Sequence, residues 1–230
     1  VTRTGPMRIG ALSRGATLGA PERRVSGILA SRAPMTSTDP TAPVVALRGA
    51  MLSWTGDPFM VGAKRARRHD ADAIVAMAGG RILHAGAAAT VMRELPRGTK
   101  VEHLPRDTLM MPGFVDCHVH YPQLPVIGSC GAQLLDWLTR YTFPAEAAFA
   151  DGRVARRVAR DYLDENLRQG ITTAAVFCTV HPGSVDALMR EAAKRSLRLI
   201  AGKVLMDRNA PRALRDTATR GYDESKALIA

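Results

Sequence analysis

The feature that most constrains this chain is the stretch PGFVDCHVHYPQ, residues 112–123, where two histidines follow a short apolar run. If the run is a β-strand, successive side chains point to opposite faces, so His118 and His120 share one face while Cys117 and Val119 share the other. Two imidazoles on one face at a strand end can reach a single metal ion. The stretch therefore predicts part of a metal site, although polar residues that merely end a strand would give the same spacing.

The chain after residue 112 alternates between strand-like and helical patterns. Further strands are predicted for ITTAAVFC and LRLIAGKVLM, and helices for AQLLDWLTRY, GRVARRVARDYLDENLRQG, SVDALMREAAKRS and PRALRDTATRGYDESKALIA. This alternation is typical of an α/β fold with a parallel sheet, either doubly wound or the opening part of a (β/α)8 barrel. A complete barrel takes about 250 residues. Residues 109–230 would therefore make an incomplete barrel of about three β/α units.

The chain before residue 109 has a different rhythm. Residues 35–108 predict a small β domain, because short apolar runs are separated by turn residues and the Gly79-Gly80 pair is typical of a hairpin. The charged stretch GAKRARRHDAD inside this domain predicts a solvated loop. Residues 1–34 are rich in Arg and nearly free of acid, which favours a disordered tail or upstream sequence before a natural start at Met35, with a transit-type peptide as the alternative.

Charge, cysteine usage, hydropathy and missing motifs narrow the classes of protein to which the chain could belong. The formal net charge is +11, but the first 34 residues supply +5 of it, so a nucleic-acid surface is not needed to explain it. The three cysteines form no CxxC pair, which favours a reducing compartment, and we expect a cytoplasmic protein. No window approaches the run of about 20 apolar residues that spans a membrane, and no phosphate-binding loop or nucleophile elbow is present.

Three further side chains are candidates for the same end of the sheet. Asp116 shares the face of the histidines and could orient a metal ligand, or it could be a buried carboxylate satisfied by its neighbours. His181 follows the second strand, where it could line a pocket or cap the next helix. Lys203 lies near the end of the third strand, where we expect an ion pair with a carboxylate such as Asp207 rather than a metal-bridging role.

Several of these stretches resemble a known family. PGFVDCHVHYPQ resembles the opening signature of the amidohydrolase superfamily, and LLDWLTRYTFPAE, ITTAAVFCTVHPGSVDAL and AGKVLMDRNAP are similar to its guanine deaminase family. The resemblance implies a barrel with one Zn²⁺ per complete site, flanked by a small β-sandwich, that hydrolyses guanine to xanthine and ammonia. It implies His118 and His120 as the first two zinc ligands, Gln123 as a purine-binding residue, and a homodimer for the complete protein.

The resemblance also implies what this chain lacks. The remaining zinc ligands of the family, two histidines and an aspartate, and its proton-shuttling glutamate in an H-x-x-E arrangement lie on later strands, beyond Ala230. We therefore expect no catalytic residue within the chain, and an N-terminal fragment that is inactive alone. Two alternatives stay open: an amidohydrolase acting on an aminated or chlorinated heterocycle, and a non-catalytic half-barrel that needs a partner chain.

Overall fold

The computed structural model describes residues 8–11, 42–131 and 133–229. It divides the chain into two compact units, Val1–Gly113 and Phe114–Ala230. The division falls after Gly113 rather than after residue 108, because residues 108–111 pair with strands of the first unit. Apart from residues 8–11, the prediction of a tail or upstream start over residues 1–34 lies outside the described residues.

The first unit is built on one mixed β-sheet. Its strands are β1 (Arg8–Ala11), β2 (Val45–Trp54), β3 (Arg67–Ala78), β4 (Arg81–Ala87), β5 (Val101–His103) and β6 (Thr108–Met111), and its helices are α1 (Pro58–Val61), α2 (Ala63–Ala66) and α3 (Ala88–Glu94). The strand order is β1-β6-β2-β3-β4, with β5 also paired to β2. The β3–β4 hairpin is confirmed, since Gly79 and Gly80 take positive φ values of 55° and 76° between antiparallel strands.

The charged stretch of this unit is not a loop, so that prediction is wrong. Its residues form helix α2 and the first half of β3, where Arg67 pairs with Trp54 and His69 with Leu52 in the antiparallel ladder. Backbone pairing with β2 holds this half of the strand, and its side chains are mostly exposed. Exposed positions accept charge, so the sequence lacked the apolar alternation that would have revealed a strand.

The second unit alternates parallel strands with helices, as the sequence predicts. Its strands are β7 (Phe114–His120), β8 (Ile171–Phe177) and β9 (Arg198–Gly202), and its helices are α4 (Leu134–Trp137), α5 (Phe143–Ala147), α6 (Gly152–Arg168), α7 (Pro182–Lys194) and α8 (Ala218–Ile229). A π-helix (Leu138–Thr142) and 3-10 turns (Tyr121–Val126, Ala148–Ala150, Arg212–Leu214) complete it. The strands pair in the order β7-β8-β9, and over the described residues this sheet does not close into a barrel.

Helix α6 provides much of the core of the second unit. Asp151 caps its first turn by accepting a hydrogen bond from the backbone N–H of Arg153 at 2.8 Å, and Gly170, with φ 78°, follows its last turn. Val158, Tyr162 and other residues of its buried face pack against the sheet and α7. None of the helices in the described part of the chain is long and apolar enough to cross a membrane.

Leu163 lies at the centre of this core, with 0% of its surface exposed. We expect Leu163→Ala to lower the free energy of unfolding by about 2–5 kcal/mol, because the lost methyl groups leave a cavity in packed surroundings. The matched control is Leu135→Ala, since Leu135 is 75% exposed. Denaturant titration measures both variants. An equal effect at the two positions would contradict this assignment of the core.

Candidate functional site

His118 and His120 lie together at the carboxyl end of β7. The pairing of β7 with β8 is irregular between Asp116 and Val119, and then returns to register with His120 opposite Phe177. The two imidazole rings have centroids 5.4 Å apart. Both rings also contact Phe177, at 5.0 Å for His118 and 4.8 Å for His120. The strand end therefore holds the two imidazoles on one side, against a shared aromatic ring.

This pair fits one part of a zinc site. The Nδ1 atom of His120 is buried and has no hydrogen-bond partner among the described residues. Burial, followed by the charge of His118, lowers the pKa of His120, and the neutral imidazole is the form that binds metal. A catalytic zinc takes three protein ligands at about 2 Å and keeps a position for water. Within residues 42–131 and 133–229, no cluster of three or more His, Cys, Asp or Glu could hold a metal, so the described residues offer two ligands.

Asp116 contacts His118 through the backbone. Its Oδ1 atom accepts a hydrogen bond from the His118 N–H at 3.1 Å, within the irregular part of β7. The carboxylate therefore contacts the His118 main chain, and its effect on a metal ligand would be exerted through that backbone contact.

His181 lies at the amino end of α7, where its side chain makes no capping hydrogen bond within the described structure. The hydroxyl of Ser184 instead binds this turn, accepting from the backbone N–H of Thr179 at 3.0 Å and donating to the carbonyl of His181 at 2.7 Å. Burial, followed by the charge of Arg220, lowers the pKa of His181. Its Nε2 atom is buried and has no partner in the described part of the chain.

Lys203 does not pair with Asp207, so the sequence-based choice of partner is wrong. Its Nζ atom donates to Asp216 at 2.6 Å and also contacts Glu224. The side chains of Lys203 and Asp216 are 0% and 2% exposed. Asp207 is solvated and lies 3.8 Å from Arg208. The chain that returns into α8 brings Asp216 and Glu224 over the end of β9, a long-range contact that local spacing does not reveal.

One cavity brings three of the predicted residues together. His118, His120 and Gln123 line a cavity of about 500 Å³, a volume in the range of small-molecule sites. The other lining residues are mostly apolar or aromatic, and they include Tyr121, Leu124, Val126, Ile127, Trp137 and Tyr162. Asp116 and His181 are not among the lining residues. The cavity thus combines two imidazoles, the amides of Gln123 and Asn166 and the carboxylate of Glu165 with a mostly apolar wall, which suits a flat, polar-edged ring.

Two residues of this region were missed by the sequence reasoning. Phe177 supports both imidazoles, and its only signal was its place at the end of a predicted strand. Glu146 lies behind the cavity, where its Oε1 atom accepts a hydrogen bond from Nε2 of Gln123 at 3.2 Å. A single acid in the apolar stretch FPAEAAF was an available signal for a buried carboxylate.

Comparison with known proteins gives one consistent group of relatives. The model of the amidohydrolase family matches residues 109–229. A guanine deaminase of Escherichia coli is 52% identical over 124 residues, and a probable guanine deaminase of Deinococcus radiodurans is 42% identical over 153 residues. These matches cover 54% and 65% of this chain but only 28% and 35% of the relatives.

The solved structure of E. coli guanine deaminase has a TM-score of 0.74 and 41% identity over 80% of this chain, which corresponds to 43% of that protein. The sequence and the fold are thus both similar to those of guanine deaminases, and the chain spans less than half of the length of these relatives. The chain belongs to the amidohydrolase family and is a homologue of guanine deaminases that covers part of their length.

Proposed function

We propose that this chain supplies the first two zinc ligands, His118 and His120, and the purine-binding residue Gln123 of a zinc-dependent guanine deaminase. The observation that carries the proposal is the shared cavity, because it brings both imidazoles and the Gln123 amide to one mostly apolar pocket. The relatives support it, since those in E. coli and D. radiodurans are a guanine deaminase and a probable one. The reaction is the hydrolysis of guanine to xanthine and ammonia.

The chain's own residues would prepare the reaction rather than complete it. Zinc held there would supply Lewis-acid chemistry, since it would lower the pKa of a water towards neutrality and so provide a nucleophile for the ring carbon that carries the amine. His118 and His120 would hold the metal as neutral imidazoles, and Phe177 packs against both rings. Gln123 orients the purine edge, since an amide can both donate and accept. The remaining ligands and the proton-transferring glutamate belong to the rest of the site, so we expect no turnover by these 230 residues alone.

A chimera, called the exchange enzyme below, tests the proposal. In the chimera, residues 109–229 of this chain replace the corresponding stretch of the E. coli guanine deaminase, whose other residues complete the site. We expect the exchange enzyme to convert guanine to xanthine with a kcat/KM within about tenfold of the E. coli enzyme. The reaction is measured by the change in ultraviolet absorbance. The unmodified E. coli enzyme is the control. A folded exchange enzyme that contains zinc but leaves guanine unchanged would contradict the proposal.

A further inference from the structure

The side chain of Glu146 is buried, although burying a carboxylate with an unpaired oxygen lowers the free energy of unfolding. It is 2% exposed, on the short helix α5. Its Oε2 atom has no hydrogen-bond partner among the described residues. A buried carboxylate oxygen without a partner reduces the free energy of unfolding, and an apolar side chain of similar size would avoid this loss. Folding stability alone therefore gives no reason for a carboxylate at this position.

The other carboxylate oxygen contacts a residue of the proposed site. Oε1 of Glu146 accepts from Nε2 of Gln123 at 3.2 Å. Burial raises the pKa of Glu146, and the hydrogen bond from Gln123 acts in the opposite direction. In this contact the Gln123 NH₂ donates and a Glu146 oxygen accepts, and an ionised carboxylate can only accept, so Glu146 binds the NH₂ end of the Gln123 amide.

The turn that carries Gln123 is itself anchored. Gln123 belongs to the 3-10 turn 121–126, directly after His120. Tyr121 begins this turn, is fully buried, and donates a hydrogen bond from its hydroxyl to the carbonyl of Ser184 at 2.7 Å. The backbone of Gln123 is thus held relative to His120, and the remaining freedom lies in the rotation of the Gln123 side chain. Glu146 contacts the group that this rotation moves.

We propose that Glu146 is a positioning residue: it binds the NH₂ group of Gln123 and so presents the Gln123 carbonyl to the cavity, where it accepts an N–H of the purine edge. The inference rests on the proposed function. The contact between Glu146 and Gln123 would make the site selective for heterocycles that carry an N–H donor at this edge, as guanine does, over rings that offer only acceptors there. A freely rotating amide would accept either kind of ring, because it can turn its donor or its acceptor towards the ligand.

NMR signals of the Gln123 side-chain amide test the positioning role directly. The chain has only three glutamines, at positions 123, 133 and 169, so few signals have to be distinguished. Their side-chain NH₂ groups can be assigned in ¹⁵N-resolved NMR spectra of the full chain, without metal or ligand. We expect Glu146→Leu to move the Gln123 NH₂ resonances and speed their exchange with water, and Glu146→Gln to keep them near the wild-type values, because its amide carbonyl still accepts. The matched control is Glu191→Leu, since Glu191 accepts from Lys194 on α7 and does not line the cavity. That variant should leave the Gln123 resonances unchanged.

The exchange enzyme measures the consequence for binding. We expect Glu146→Leu to raise KM for guanine about tenfold with kcat nearly unchanged, and Glu146→Gln to stay within about threefold of the parent. If Glu146→Leu does not fold, the double variant Gln123→Glu with Glu146→Gln provides a second test. The carboxylate at position 123 offers one oxygen as an acceptor to the cavity, and its other oxygen accepts from the amide at position 146. The double variant should therefore restore the KM that Gln123→Glu alone impairs.

Different results would contradict the positioning role of Glu146 and the deaminase activity. Identical Gln123 NH₂ resonances in the wild type and Glu146→Leu would overturn the positioning role, whatever the chain binds. An unchanged KM in Glu146→Leu, in an active exchange enzyme, would also overturn it. An exchange enzyme without turnover would count against the proposed function, and the amide spectra of the full chain would still decide whether Glu146 holds Gln123.

Discussion

Replacing His118 or His120 by alanine in the exchange enzyme is expected to lower guanine turnover by more than about 100-fold and to reduce bound zinc below one per site. The loss of residues that merely orient metal ligands already costs about 10–100-fold, so the loss of a ligand should exceed that range. His120 should have the larger effect on metal binding, because its Nδ1 atom is buried and has no hydrogen-bond partner in the described residues. Metal content is measured by atomic emission, and turnover by guanine absorbance.

The control for this prediction is Arg157→Ala, an exposed position on α6 away from the cavity. It should retain both zinc and turnover. Full activity with one zinc per site in either histidine variant would contradict the assignment of that histidine as a ligand.

The largest expected effect on stability is that of Lys203→Met. The Lys203 side chain is fully buried between Asp216 and Glu224, so the substitution leaves the buried Asp216 carboxylate with only the more distant Arg220, at 3.8 Å, as a cation. Removing one partner of a buried ion pair costs about 3–5 kcal/mol in the free energy of unfolding. Denaturant unfolding of the full chain at neutral pH measures it. The matched control is Arg208→Met, because Arg208 and Asp207 are 84% and 61% exposed and such pairs contribute little.

The pH dependence separates this explanation from a simple packing defect. Burial raises the pKa of Asp216, but the hydrogen bond and charge of Lys203 with other neighbours outweigh it, and the net pKa is lowered from 3.8. The pKa of Glu224 is lowered from 4.5 for the same reasons. The ion-pair contribution is therefore present above these values and lost as the pH falls below about 4. The stability difference between wild type and Lys203→Met should shrink in acid; a difference that stays constant from pH 7 to pH 3 would contradict the account.

Local patterns in the sequence were sufficient for the architecture of the second unit. The helix α6 has an apolar stripe, an Asp cap and a following glycine, and each of these acts within a few residues. The strands of the parallel sheet are short apolar runs between helices, so their order along the chain was visible. The first half of β3 was missed, because its pairing with β2 rather than its own side chains makes it a strand.

The candidate site shows the same division between local and long-range information. His118, His120 and Gln123 lie within six consecutive residues, so one motif could predict their proximity. The partners that fix them come from distant segments: Phe177 from the next strand and Glu146 from α5. The partner of Lys203 was missed for the same reason, since Asp216 lies on the far side of a loop. Such contacts depend on tertiary packing, which residue spacing does not encode.

The most direct test of the central claim is zinc K-edge X-ray absorption of the full chain loaded with one equivalent of Zn²⁺. If His118 and His120 form part of a zinc site, the spectrum should show two imidazole nitrogens at about 2.0–2.1 Å with oxygen ligands completing the shell, and His118→Ala should remove one imidazole. Cys117, which is exposed and directly precedes His118, offers the alternative. A shell dominated by sulfur at about 2.3 Å, or one unchanged in His118→Ala, would contradict the claim.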